Sequence, residues 1–118
     1  MPRFNEVAWF EIGAEDPAAA ERFYGEVFGW TVAQDDTAST DPAYRVIDTG
    51  GARGGLFRGP ENYAIFSVLV ADVDDACRRV AAAGGRVRRP PQVNPVGVTF
   101  AHVLDPAGNH FSVFSSPS

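Results

Sequence analysis

The sequence predicts an α+β domain built from two tandem βαβββ modules, and three observations carry that reading. The order strand, helix and three further strands occurs twice along the chain. The stretches FEIGAEDPAAAERFYGEVFGW and VLVADVDDACRRVAAAGGRV each run from a strand through a capping Asp and an Ala-rich helix to a glycine stop, which is the mark of a repeated structural unit. The chain then closes with VTFAHVLDPAGNHFSVF, two apolar runs joined by a turn. At 118 residues this is one domain, 1–118, with the first module at about 1–58, the second at about 59–118, and Arg58-Gly59-Pro60-Glu61 as their connector.

In the first module, Phe4 to Ile12 alternates as a strand, with Val7, Trp9 and Glu11 on one face and Ala8, Phe10 and Ile12 on the other. Asp16-Pro17 reads as an N-cap followed by proline at the first helical position. Ala20, Phe23, Tyr24, Val27 and Phe28 form an apolar stripe at helical spacing, and Gly29 ends the helix. Trp30 to Ala33, Tyr44 to Ile47 and Gly54 to Phe57 are the three following strands, with the turn-rich Gln34 to Pro42 between the first two.

The second module repeats the plan. Ala64 to Val70 is a strand and Asp72 an N-cap, and Val73, Ala76, Cys77, Val80 and Ala81 mark one helix face that Gly84 closes. Arg86 to Arg88 starts the next strand, and Gln92 to Gly97 is a loop. In the closing hairpin Pro106 suits the first central position of a turn, Asp105 can accept from nearby amides, and Gly108 supplies a conformation other residues resist. Period-two alternation puts Val98, Phe100 and His102 on one face of one strand and His110, Ser112 and Phe114 on one face of the other, so that both histidines of the chain look the same way.

Composition excludes several function classes. A formal net charge of −5 disfavours nucleic acid, which needs clustered cations. All ten basic residues are arginines, and the local group Arg86, Arg88 and Arg89 cannot share one face of a regular strand. No apolar run reaches the roughly 20 residues needed to span a bilayer, and MPRFNEVAWFEIG lacks a charged leader before an apolar core, so the expectation is a cytoplasmic protein without a membrane partner. The one cysteine, Cys77, falls on an apolar helix face and reads as a buried thiol.

The two modules, the helix ending FYGEVFGW, the strand leading into VADVDDA and the DPAGN hairpin together resemble the vicinal oxygen chelate superfamily, which includes glyoxalase I, extradiol dioxygenases, fosfomycin-resistance enzymes and bleomycin-resistance proteins. The resemblance implies an eight-stranded half-open cup that holds a ligand, usually in a homodimer. It also implies where the metal ligands of the metal-dependent members would fall: at Trp9, near Leu56, near Ile65 and at Ser112. None of these side chains is the imidazole or carboxylate that a divalent cation needs. Neither a metal nor another cofactor is therefore expected.

The candidate cup lining is Trp9, Glu11, Ile65, Ser67, Phe100, His102, His110, Ser112 and Phe114, an aromatic and aliphatic surface with a few polar groups, as small-molecule sites ordinarily are. The leading expectation is a metal-independent binding protein of the bleomycin-resistance kind that holds an apolar or aromatic ligand, a cation being compatible with the acidic chain. The alternative is an enzyme, a lyase, isomerase or dioxygenase-like member, with His102 and Glu11 as acid and base or with a relocated metal site. His102 itself reads equally as a structural or a functional histidine.

Overall fold

The computed structural model describes residues 3–117. The chain falls into two compact units, one of residues 9–64 and one made of the described N-terminal residues up to Ala8 together with the chain from Ile65 onward. The first contains β1 (Val7–Ala14) from Trp9 on, α1 (Pro17–Phe28), β2 (Thr31–Ala33), β3 (Tyr44–Asp48) and β4 (Arg53–Arg58). Its strands lie in the order β2-β3-β4-β1, with β1 parallel to β4 and the other pairs antiparallel. The second contains most of β5 (Tyr63–Leu69), then α2 (Val73–Ala82), β6 (Arg86–Val93), β7 (Thr99–Leu104) and β8 (His110–Ser115). Its order is β6-β7-β8-β5, again with the first strand parallel to the fourth. The described chain thus has eight strands and two helices in two copies of one βαβββ wiring, as the repeat predicts.

Both helices begin as their caps dictate. The Asp16 carboxylate accepts from the Ala19 amide at 3.2 Å and that of Asp72 from the Asp75 amide at 3.0 Å, each satisfying one orphan N–H of the first turn. Gly29 ends α1 in the left-handed conformation at φ +75°, where its N–H reaches the Gly25 carbonyl at 2.9 Å. Behind the first sheet Ala20, Tyr24 and Trp30 pack on Ile12, Ala14, Ile47 and Leu56, with Tyr24 and Trp30 stacked at 5.2 Å. Behind the second, Val73 and Cys77 are buried with Val70, Ala101, Val103 and Val113, and burial pushes the Cys77 thiol pKa up.

Four expectations need correction. Phe23, Val27 and Phe28 stay 57%, 53% and 60% exposed, because the stripe on α1 is wider than the face that meets its sheet, which is served by Ala20 and Tyr24. Ala81 is likewise exposed, one position past the buried edge of α2. The first strand starts at Val7 and not Phe4, because Asn5 takes φ +73° and turns the chain so that its amide and the Glu6 carbonyl pair with Leu69 at 2.6 and 3.0 Å. The strand after α2 runs on through Pro90 and Pro91 to Val93, into the segment expected as loop. Proline is tolerated there because β6 is an edge strand whose pairing with β7 slips between Val87 and Arg89 and again between Arg89 and Gln92.

Candidate ligand-binding site

Each sheet has a face covered by its helix and a face turned away from it. In the unit of β5 to β8, Val68, Ala101, Val103, Phe111 and Val113 point to α2. Strand pairing then settles the opposite face: Ser67 lies beside Ser112 and Ser112 beside His102, Leu69 beside Phe114 and Phe114 beside Phe100, and His110 beside Leu104. Ile65 joins them by alternation along β5. Seven of the nine lining residues, Ile65, Ser67, Phe100, His102, His110, Ser112 and Phe114, are therefore on one helix-free face of one unit.

The turn that aligns the two strands is held by Asp105. Its carboxylate accepts from the Asn109 side chain at 2.8 Å and from the backbone amides of Asn109 and Ala107 at 2.8 and 2.9 Å, and these bonds hold its pKa below the usual carboxylate range. Gly108 takes φ +93°, the conformation that the turn requires.

On this face the polar groups are tied to one another. His102, only 3% exposed, places Nδ1 2.7 Å from Nε2 of His110, and Nδ1 of His110 lies 3.0 Å from an Arg88 guanidinium nitrogen. The buried hydroxyls of Ser67 and Ser112 are hydrogen-bonded to each other. Phe100 meets His102 edge-on at 6.4 Å. The expectation that Arg86, Arg88 and Arg89 cannot share a face fails, since Arg86 pairs with Leu104, Arg89 pairs with His102 and Arg88 reaches His110. The slip between Val87 and Arg89 breaks the alternation on which that expectation stood.

In the unit of residues 9–64, Trp9 and Glu11 likewise lie on the side away from α1, since Phe10, Ile12 and Ala14 are the residues packed toward it. The Trp9 indole N–H donates to the Tyr44 hydroxyl at 3.0 Å, and that hydroxyl is hydrogen-bonded to Glu11. Burial, with the Glu11 charge beside it, drives the Tyr44 pKa well above the usual tyrosine range. The Tyr44 ring lies over Gly55 and that of Tyr63 over Gly13, each where a Cβ would stand. The Arg53 guanidinium sits 6.0 Å from the centre of the Trp9 ring and is bonded to Asp35 at 2.9 Å. Hydrogen bonds from Thr37 and Arg53 lower the Asp35 pKa to about 2.

Tyr44, Tyr63, Arg53 and Arg88 were absent from the sequence-derived lining. The trace of the two tyrosines was present in Gly13 and in Gly54-Gly55, because glycine inside a strand marks close approach by another group. Arg88 left no such trace, because it reaches His110 across β7, a contact that exists only once β6, β7 and β8 are paired.

The residues at the family's metal positions do not fit a metal. Trp9 has its N–H committed to Tyr44, Ile65 is aliphatic and Ser112 is bonded to Ser67. Leu56 is in the core behind the sheet, so the position facing away from the helix is its neighbour Gly55, which also has no donor side chain. Among the described residues no three His, Cys, Asp or Glu side chains converge as a cation would need.

A family model described as a glyoxalase-like domain matches residues 9–114. The anthracycline biosynthesis protein DnrV of Streptomyces peucetius is 33% identical over 97% of this chain, and the match covers 49% of that protein. The chain thus spans about half the length of the curated relatives it matches. The Mn(II)-bound glyoxalase of Novosphingobium aromaticivorans superposes with a TM-score of 0.62 at 25% identity, over 96% of this chain and 39% of that one. The methylmalonyl-CoA epimerase of Streptomyces coelicolor, at 14% identity, shares the fold with a TM-score of 0.62 over 98% of this chain and 100% of its own.

Proposed function

Starting from the chain's membership of the glyoxalase-like family, part of the vicinal oxygen chelate superfamily, we propose that it is a metal-independent binding protein for an aromatic, oxygen-bearing small molecule. The observation that carries the reading is the character of the helix-free face of β5 to β8. Ile65, Leu69, Phe100 and Phe114 give it an apolar, aromatic floor, and the Ser67–Ser112 and His102–His110 pairs set hydrogen-bonding groups into that floor where metal-dependent relatives need anionic or imidazole ligands. Trp9, Glu11 and Tyr44 present a second surface of the same mixed character. The relation to an anthracycline biosynthesis protein supports a planar polycyclic ligand. The protein acts as a homodimer in the cytoplasm. The apolar side chains of Phe23, Val27 and Phe28 left uncovered on α1 support the dimer, and no described helix is long and apolar enough to cross a membrane.

The test is a thermal-shift and tryptophan-quenching screen with hydroxyanthraquinones, flavones and catechols, followed by mass spectrometry of the recovered ligand and elemental analysis of the protein. A raised midpoint with the ligand returned unchanged and no stoichiometric metal is the expected result. One metal per chain, or a converted ligand, overturns it.

A second reading, an enzyme that removes a proton from carbon, is favoured by one observation: the Glu11 carboxylate is held by Tyr44 beside an aromatic wall, an arrangement suited to a general base. Deuterium exchange into a bound carbonyl compound, lost in Glu11→Gln, is its signature.

A further inference from the structure

We propose that Arg88 is a positioning residue that fixes the tautomers of both histidines and makes the second ring nitrogen of His102 a hydrogen-bond donor in the resting protein. Donor and acceptor obligations run along three groups. A guanidinium carries only donors and keeps its proton in proteins, so Nδ1 of His110, 3.0 Å from Arg88, must be the acceptor. A neutral imidazole bears one proton, which for His110 is then on Nε2. That nitrogen is 2.7 Å from Nδ1 of His102 and donates to it. The His102 proton is left on Nε2.

Each other assignment sets like against like. A doubly protonated His110 turns an N–H toward the N–H of Arg88. A doubly protonated His102, or one carrying its proton on Nδ1, turns an N–H toward that of His110. Arg88 can impose this order because Arg86 pairs with Leu104, which lies beside His110, and alternation from Arg86 brings Arg88 to the face that carries both imidazoles. The three groups hold a direction and do not relay a proton. For His102 to release its Nε2 proton and be made good through Nδ1, His110 would have to be resupplied at its own Nδ1 by Arg88, and a guanidinium does not give up a proton at neutral pH.

The consequence is a polarity: whatever meets Nε2 of His102 is an acceptor. On the binding reading above, His102 is thereby removed from the list of general bases.

The tautomers are measured without any ligand, so the result is separate from that of the binding screen. The chain has two histidines and hence four ring nitrogens, which a long-range proton–nitrogen correlation on histidine-labelled protein resolves at pH 7.5. Expected in the native protein are two rings, each protonated on Nε2 and bare on Nδ1. Arg88→Met should move the His110 signals toward the average of both tautomers, and Arg88→Lys, which keeps a donor, should restore them. In His110→Glu the carboxylate can only accept, so the His102 proton should shift to Nδ1. A charged ring or an Nδ1–H tautomer in the native protein, or fixed tautomers unaltered in Arg88→Met, overturns the proposal. The native spectrum decides alone should Arg88→Met fail to fold.

Discussion

Trp9 and Tyr44 are joined across the sheet by a hydrogen bond of 3.0 Å from the indole N–H to the phenol oxygen, and the phenol is in turn bonded to Glu11. Removing that oxygen takes a hydrogen-bond partner from both neighbours in a half-buried site. Tyr44→Phe is expected to lower unfolding free energy by about 1–3 kcal/mol, the usual cost of leaving a buried polar group unpaired. Because the folded-state pKa of Tyr44 is raised, the native chain holds a proton that the unfolded chain loses, so stability is full below the unfolded tyrosine pKa of about 10 and falls as pH rises above it. Urea unfolding from pH 7 to 11 should show that alkaline decline weakened in Tyr44→Phe.

His102 and His110 are expected to behave as a unit. His102→Ala removes the acceptor of the His110 Nε2–H and empties a buried position edge-on to Phe100. Each single alanine substitution should destabilise, and the double-mutant cycle should return a coupling of about 0.5–3 kcal/mol. Additive losses in urea denaturation would show that the 2.7 Å contact contributes nothing to folding.

The closing hairpin was legible from its turn, although its first strand begins at Thr99 and leaves out Val98. A turn of Asp105, Pro106, Gly108 and Asn109 fixes loop length, loop length fixes register, and register with period two puts His102 and His110 on one face. The capped helices and the repeated module were legible for the same reason, since caps and periodicity are local. What the sequence did not disclose comes from departures from regularity and from tertiary competition. Arg89 joins the face of Arg86 through a slip in β6 that the strand pattern does not specify, and Phe23 and Phe28 are left outside a contact whose width is set by the sheet below. Tyr44 was read as the start of a strand, because the partner that defines it, Trp9, is thirty-five residues away in sequence.

The Asp35–Arg53 pair ties the segment after β2 to the strand whose arginine overlies Trp9. Asp35 titrates at about 2 in place of 3.8, mainly through the Thr37 hydroxyl and then Arg53. A lowered pKa means that the unfolded chain binds the proton more readily, so the contribution is full above about pH 4 and is lost as pH falls through 2. Asp35→Asn should therefore unfold earlier than the native chain at pH 6 and together with it at pH 2. A difference between the two midpoints that does not change with pH would show that the Asp35 charge is not what holds the segment.

Gly55 offers the sharpest test of the Trp9 face. The three nearest atoms to a Cβ built there all belong to the Tyr44 ring and hydroxyl, too close to coexist with it, so Gly55→Ala must push Tyr44 away from Trp9. The expected loss is about 1–3 kcal/mol, as for other overpacked positions. In a strand without such a neighbour the same change favours folding by roughly 0.5–1 kcal/mol, because alanine has less backbone freedom to lose. The sign should accordingly reverse in a Tyr44→Ala background, where the obstructing ring is gone. Urea midpoints of the two single variants and the double variant measure this directly. If Gly55→Ala destabilises equally with and without the tyrosine, the ring does not lie over the glycine, and the Trp9–Tyr44–Glu11 arrangement is not the one described.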